Sequence, residues 1–226
     1  MHGSPQVSVV VFDVNETLSD MAPLAARFAA VGAPAHAAPL WFASLLRDGF
    51  ALTAAGAPGR FPVLAEGALR AALADVELDR DIDAAVAHVV DGLAQLGVHP
   101  DVPEGVRALS EAGMRLVTLS NGAAEVPERL LASAGLRDRF ERCLSVDDAG
   151  AWKPARAAYA YAAEACGVAP AQMLLAAVHP WDIDGAARAG LATAWIDRGG
   201  APYPGYFTSP DLVVTGVDAL AGRLRA

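Results

Sequence analysis

A few polar residues in this sequence have the types and neighbours that covalent chemistry needs. Asp13 ends the apolar, β-branched run in "VVVFDVNETL" and is followed by Thr17. Ser120 and Asn121 end a second apolar run, "LVTLSNG"; Lys153 stands in "AWKP", and Asp182 in "VHPWDIDG". A carboxylate can act as a covalent nucleophile when donors surround it, a cation keeps it ionised and water can reach the adduct. Lys153 can supply the cation. It is the only lysine of the chain, it lies between Trp152 and Pro154, and an ammonium nearby lowers a carboxyl pKa. Each residue also has a purely structural reading. Asp13 can open a turn, and Lys153 can be a solvated charge at a helix start. Ser120 and Asn121 can cap the helix that follows, and Asp182 can sit at a helix N-terminus. The chemical reading draws its weight from the set, because the members complement one another and occupy comparable places in the chain.

Those places are set by the surrounding elements. Residues 7–12 read as a short, fully buried strand. Residues 20–98 show no strand pattern; helical stretches near 20–31, 38–54, 62–77 and 81–96 are broken at "GAPAHAAP" and "GAPGRFP". From about residue 103 helices and strands alternate. Helices are expected at 103–112, 123–135, 154–166 and 182–189, and strands ending at Ser120 and over 141–145, 173–178 and 192–196. "LVVTG" and a terminal helix close the chain. Repeated β–α units imply an α/β fold with a parallel, Rossmann-like sheet covered by helices. The expected division is a core of residues 1–18 and 99–226 and an inserted helical cap of residues 19–98. Ligands of such sheets bind beyond the carboxyl ends of the strands. Asp13, Ser120, Asn121 and the "HPWD" stretch all fall there, and Lys153 follows its strand by one loop.

The 226 residues and the apolar, alanine-rich composition suit one domain with a smaller insertion. The formal net charge of −9 disfavours nucleic acid and anionic membrane as partners. Cys143 and Cys166 form no metal or redox motif and read as reduced thiols of a cytoplasmic protein. No apolar run has the length of a membrane span, Met1–Gln6 reads as a frayed start, and no signal-peptide pattern is evident. His36, His88 and His99 have no ligand spacing and read as surface residues. Trp41, Phe42, Phe50 and Phe61 read as apolar cap core or cleft wall, suited to a small organic substrate, and apolar cap faces would suit a homodimer.

Taken together, "FDVNETL", "LVTLSNG", "WKP" and "VHPWDIDGAARAGLATAWIDR" resemble the four motifs of the haloacid dehalogenase superfamily of aspartate-nucleophile hydrolases. The resemblance runs over roughly residues 7–199. It implies a Rossmann-like core with a helical cap inserted after the first motif. Phosphatase members of the superfamily carry an acid two residues after the nucleophile, where this chain has Asn15. They also carry paired acids for Mg²⁺ in the fourth motif, where this chain has Ala177 and only Asp182. Asp13 and Asp182 alone make a thin Mg²⁺ site. Asn15, Tyr159 six residues beyond Lys153, and the pair Trp181–Asp182 match instead the branch resembling L-2-haloacid dehalogenases, which uses no metal or other cofactor.

The resemblance implies that Asp13 attacks C2 of a small 2-haloalkanoic acid. Lys153, Asp182 and Ser120 would be its catalytic partners. Thr17, Asn121, Asn15, Tyr159, His179, Trp181 and Phe42 would bind and orient the substrate. Two positions depart from the branch. Phe42, in "PLWFASLLRDGF", stands where the dehalogenases carry arginine, and His179 stands where they carry asparagine. Arg47 lies about 140° around an ideal helix from Phe42 and reads as a solvated charge; Arg60 reads as a loop residue. His179 can donate a hydrogen bond or act as a base near neutral pH. Two other readings remain: a phosphatase with weak use of Mg²⁺, and a catalytically poor homologue that binds a small anion.

Overall fold

The computed structural model describes residues 7–224; Met1–Gln6 lie outside them. The described chain divides into two compact units, one made of the residues up to Ser19 and from Gly97 onward, the other of Asp20–Leu96.

The first unit is an α/β layer structure, as its alternating pattern predicts. Its strands are β1 (Val9–Phe12), β2 (Arg115–Ser120), β3 (Arg142–Ser145), β4 (Met173–Ala177), β5 (Ala192–Ile196) and β6 (Leu212–Val214). They form one sheet in the order β3-β2-β1-β4-β5-β6, and every pairing is parallel. β1 and β4 lie at its centre and are buried along their whole length. This is why they read as unbroken apolar runs instead of alternating ones. All carboxyl ends therefore share one rim. One core joins Val10, Phe12, Leu116, Leu174 and Ala194 of the sheet to Val106, Leu109, Leu131 and Leu220 of the helices.

The second unit is all helix: α1 (Leu24–Ala29), α2 (Ala37–Ala54), α3 (Phe61–Leu73) and α4 (Ile82–Ala94). Trp41 of α2 is fully buried, and its indole N–H donates to the Ala65 carbonyl of α3 at 2.9 Å. A buried indole needs such a partner. α1 is shorter than its apolar pattern predicts, because helical structure begins only after Pro23. Phe42 lies on α2 with its ring 6.3 Å from that of Trp41.

The first unit's helices are α5 (Val102–Glu111), α6 (Glu125–Ser133), α7 (Arg156–Cys166), α8 (Pro180–Ala189) and α9 (Val217–Leu224). α8 begins earlier than expected: Pro180 takes its first turn, where a missing N–H costs nothing, and His179 becomes its N-cap. No helix among the described residues is long and apolar enough to cross a membrane.

Candidate active site

The site starts from β1. Its last rung is Asp13, whose N–H still donates to the Ala176 carbonyl of β4 at 3.1 Å. The chain then turns tightly, with the N–H groups of Leu18 and Ser19 both donating to the Val14 carbonyl. The turn brings Thr17 back over Asp13: its hydroxyl donates to Asp13 Oδ2 at 2.6 Å and accepts from the Val178 N–H at 3.1 Å. Thr17 is fully buried, so its hydroxyl is spent on the carboxylate and on β4's loop.

Lys153 completes the pairing. Its ammonium lies 2.8 Å from Asp13 Oδ1 and 2.6 Å from Asp182 Oδ2. The far side of Asp182 accepts from the Tyr159 hydroxyl at 2.6 Å. Asn121 clamps the lysine's own backbone, accepting its N–H at 2.9 Å and donating to its carbonyl at 3.3 Å. Ser120 Oγ accepts from the Gly122 N–H at 2.9 Å. Gly185 of α8 lets this cluster close, since a Cβ there would stand 2.6 Å from the Tyr159 hydroxyl.

The electrostatics follow from burial and charge. Burial alone would raise the Asp13 pKa, but the Lys153 ammonium and the His179 ring outweigh it and hold the carboxyl well below the usual range. Burial would likewise discharge Lys153, yet Asp13 and Asp182 keep it charged. Asp182 is pushed up by burial, and Lys153 offsets only part of this. Burial and the neighbouring Asp182 push the Tyr159 phenol well up, so it stays a donor.

His179 is the second cation. Its Nδ1 lies 3.0 Å from Asp13 Oδ2 and its Nε2 2.7 Å from Glu16 Oε2. Burial disfavours the charged ring, but the hydrogen bonds to Asp13 and Glu16 prevail and raise its pKa to about 9. The Trp181 ring stacks on it at 4.9 Å between centroids, and the ammonium of Lys153 lies 5.9 Å from the Trp181 centroid. Access divides the cluster. The side chains of Lys153 and Asp182 are wholly buried, whereas 7% of Asp13 and 12% of His179 remain exposed.

Asp13, Thr17, Ser120, Asn121, Lys153, Tyr159, His179, Trp181 and Asp182 are thus brought to one rim. Three side chains expected to face a substrate turn inward instead: Thr17 to Asp13, Asn121 to the Lys153 backbone, and Tyr159 to Asp182. Asn15 is half-buried, with its backbone bridged to Ser19. Phe42 belongs to the helical unit. Among the described residues no group of three or more His, Cys, Asp or Glu side chains is placed to hold a metal ion. Lys153 itself bridges the carboxylates of Asp13 and Asp182.

Sequence reasoning misses Glu16 altogether. Its one available signal is its place three residues after Asp13, within the same turn. His99, expected at the surface, is half-buried with Nε2 3.0 Å from the Glu16 carbonyl. His88 is half-buried as well. Cys143 and Cys166 are both free, and burial raises Cys143 to about 11, which leaves it an unreactive thiol.

The sequence model of a family described as haloacid dehalogenase-like hydrolase matches residues 7–190. Haloacetate dehalogenase H-2 of Moraxella sp. (strain B) is 34% identical over 145 residues, 64% of this chain and 64% of its own length. That match spans less than two thirds of the relative. (S)-2-haloacid dehalogenase 4A of Burkholderia cepacia is 32% identical over 202 residues, 88% of this chain and 87% of that one. Among solved structures, L-2-haloacid dehalogenase from Xanthobacter autotrophicus with chloropropionic acid covalently bound superposes with a TM-score of 0.87. It is 26% identical, and the superposition covers 98% of this chain and 99% of the other. With its parallel sheet and a family match over most of its length, the chain belongs to the haloacid dehalogenase-like hydrolase family.

Proposed function

We propose that this protein is a metal-independent hydrolase that removes halide from a small 2-haloalkanoic acid through an ester on Asp13. The observation that carries this reading is the geometry at Asp13: a carboxylate at the sheet's rim with the Lys153 ammonium 2.8 Å from one oxygen and the His179 ring 3.0 Å from the other, neighbours that hold it ionised. The names of the relatives and the covalently bound acid in the Xanthobacter enzyme's structure support it.

In the first half-reaction an Asp13 oxygen forms a bond to C2 as the carbon–halogen bond breaks, and halide leaves with the electron pair. Halide needs no proton, which suits Asn15 where phosphatases carry an acid. In the second, water adds to the ester carbonyl carbon of Asp13. The carbon–oxygen bond to the substrate then breaks, and the alkoxide takes up a proton. The sum is haloacid plus water giving hydroxyacid, halide and one proton.

We assign the base for water to His179. Once Asp13 is esterified its negative charge is gone, and with it the main support for the imidazolium, so the ring can release the proton at Nδ1. Glu16 stays on Nε2 and holds the ring in place. Asp182 suits this task less, because it is fully buried with one oxygen on Lys153 and the other on Tyr159. Lys153 and Asp182 hold the charge balance, Thr17 aims the nucleophile, and Asn121 and Tyr159 hold Lys153 and Asp182. Ser120 sets the turn after β2, and Trp181 offers an apolar wall.

The helical insertion, residues 19–98 in the sequence-based division, is assigned as the cap, and Phe42 lends it apolar surface where the resembled enzymes have arginine. Exposed Leu40 and Val63 on α2 and α3 support a homodimer through that unit, and the free thiols support a cytoplasmic setting. The test is halide release from 2-chloro- and 2-bromopropionate beside hydrolysis of p-nitrophenyl phosphate, with Mg²⁺ and with a chelator. Halide release indifferent to the chelator is expected. Phosphate release that requires Mg²⁺ would overturn the assignment.

A further inference from the structure

Glu16 has a φ of 62°, and among the described residues it is the one non-glycine with a positive φ. The left-handed region costs a residue with a Cβ roughly 1–2 kcal/mol, so other contacts must hold it. They come from distant parts of the chain. Arg198, just after β5, donates through Nη1 to the Glu16 carbonyl at 3.3 Å and through Nη2 to the Thr17 carbonyl at 2.9 Å. Its Nε and Nη2 also form a two-point pair with Asp101, at 3.0 and 2.8 Å. Asp101 is itself fixed by the Val217 N–H at 2.8 Å. His99 Nε2 adds a second contact to the Glu16 carbonyl at 3.0 Å.

One planar guanidinium thus orients two successive peptide groups within the turn that carries the nucleophile. An ammonium, a compact point charge, lacks this geometry. The turn is what points the Glu16 carboxylate at His179 Nε2. We propose that Arg198, held by Asp101, is a positioning residue: it locks the left-handed turn so that Glu16 grips His179 and sets Nδ1 against Asp13. The inference rests on the assignment of His179 as the base, and it adds the device that aims it.

The test reads His179 in the resting protein, by NMR titration of its ring nitrogens, and so does not depend on finding the substrate. In Arg198→Met the imidazole should titrate about 1 pH unit or more below the wild type, a tenfold change in proton affinity. Arg198→Lys should recover part of the shift, and Asp101→Asn should follow Arg198→Met. In a Glu16→Gln background, Arg198→Met should add no further shift, since the contact it serves is already gone. An unchanged titration in every foldable variant, or an equal shift with and without Glu16, would overturn the proposal. Turnover gives a second readout: Arg198→Met should retain a one-equivalent halide burst while steady-state release falls 10–100-fold. If the wild type released no halide at all, the functional reading would fail while the titration still judged Arg198.

Discussion

Replacing His179 with Phe separates the two half-reactions. The substitution keeps an aromatic ring against Trp181, removes the 3.0 Å contact to Asp13 and leaves Glu16 without its imidazole. Lys153 remains 2.8 Å from Asp13 Oδ1, so Asp13 stays ionised at neutral pH. Losing one of two adjacent positive charges makes the carboxylate, if anything, more nucleophilic. Carbon–oxygen bond formation should therefore stay within several-fold of the wild type. Hydrolysis loses its base, and a positioned general base contributes on the order of 10²–10⁴-fold. The steps should separate: one equivalent of halide appears in a burst, and release then slows by about that factor. Rapid-quench halide measurement with 2-bromopropionate reads the burst. Intact-protein mass on the same samples should show the substrate, less hydrogen halide, accumulating on the enzyme. Wild-type steady-state turnover without accumulated ester would refute the assignment of His179. So would loss of the burst itself in a folded variant.

Further expectations concern charge and close packing. The His179 pKa is raised from 6.5 to about 9 on folding. Its stabilising contribution is thus full below pH 6.5 and is lost as pH rises through 9, with a ceiling on the order of 3 kcal/mol. Urea unfolding should show the gap between wild type and His179→Phe closing over that window, and a gap independent of pH would contradict the ion pairing. Lys153→Met leaves Asp13 with His179 alone and strips the buried Asp182 carboxylate of its ammonium partner; it should cost about 3–5 kcal/mol at pH 7 and abolish halide release. Asp13 is depressed in the folded protein, so its contribution is present above pH 3.8 and fades as pH falls. The deficit of Lys153→Met should accordingly shrink well below pH 3.8, and an equal deficit at pH 7 and about pH 2 would count against the pairing. In Gly185→Ala the added methyl would stand 2.6 Å from both the Tyr159 hydroxyl and Pro154 Cβ. Halide release should fall at least tenfold while secondary structure, read by circular dichroism, is retained.

The sheet and its rim were legible because buried parallel strands announce themselves. "VVVF" and "MLLAA" are apolar at every position, and the polar residue that ends such a run must lie at a carboxyl end. Asp13, Ser120, Lys153 and Asp182 could be brought together on topology alone. Partners within the rim could not. Thr17, Asn121 and Tyr159 have groups that can serve a substrate or a neighbour equally well, and only the coordinates show that each turns to a neighbour. Glu16 had no signal beyond its place three residues after Asp13, because a left-handed glutamate has no sequence signature; its conformation is imposed by Arg198, Asp101 and His99, some 80 to 180 residues further along the chain. His99 read as a surface residue for the same reason: its partner is a backbone carbonyl, which every residue has.

Covalent use of Asp13 is open to direct measurement with isotopic water. The enzyme, in excess over 2-bromopropionate, turns over once in H₂¹⁸O and is then digested and analysed by mass. Attack of water on the ester carbonyl places the heavy oxygen in the carboxylate of Asp13 and leaves the lactate unlabelled. Lactate that carries the label after that single turnover, with Asp13 unlabelled, would mean that water reaches C2 directly and that Asp13 forms no bond to the substrate.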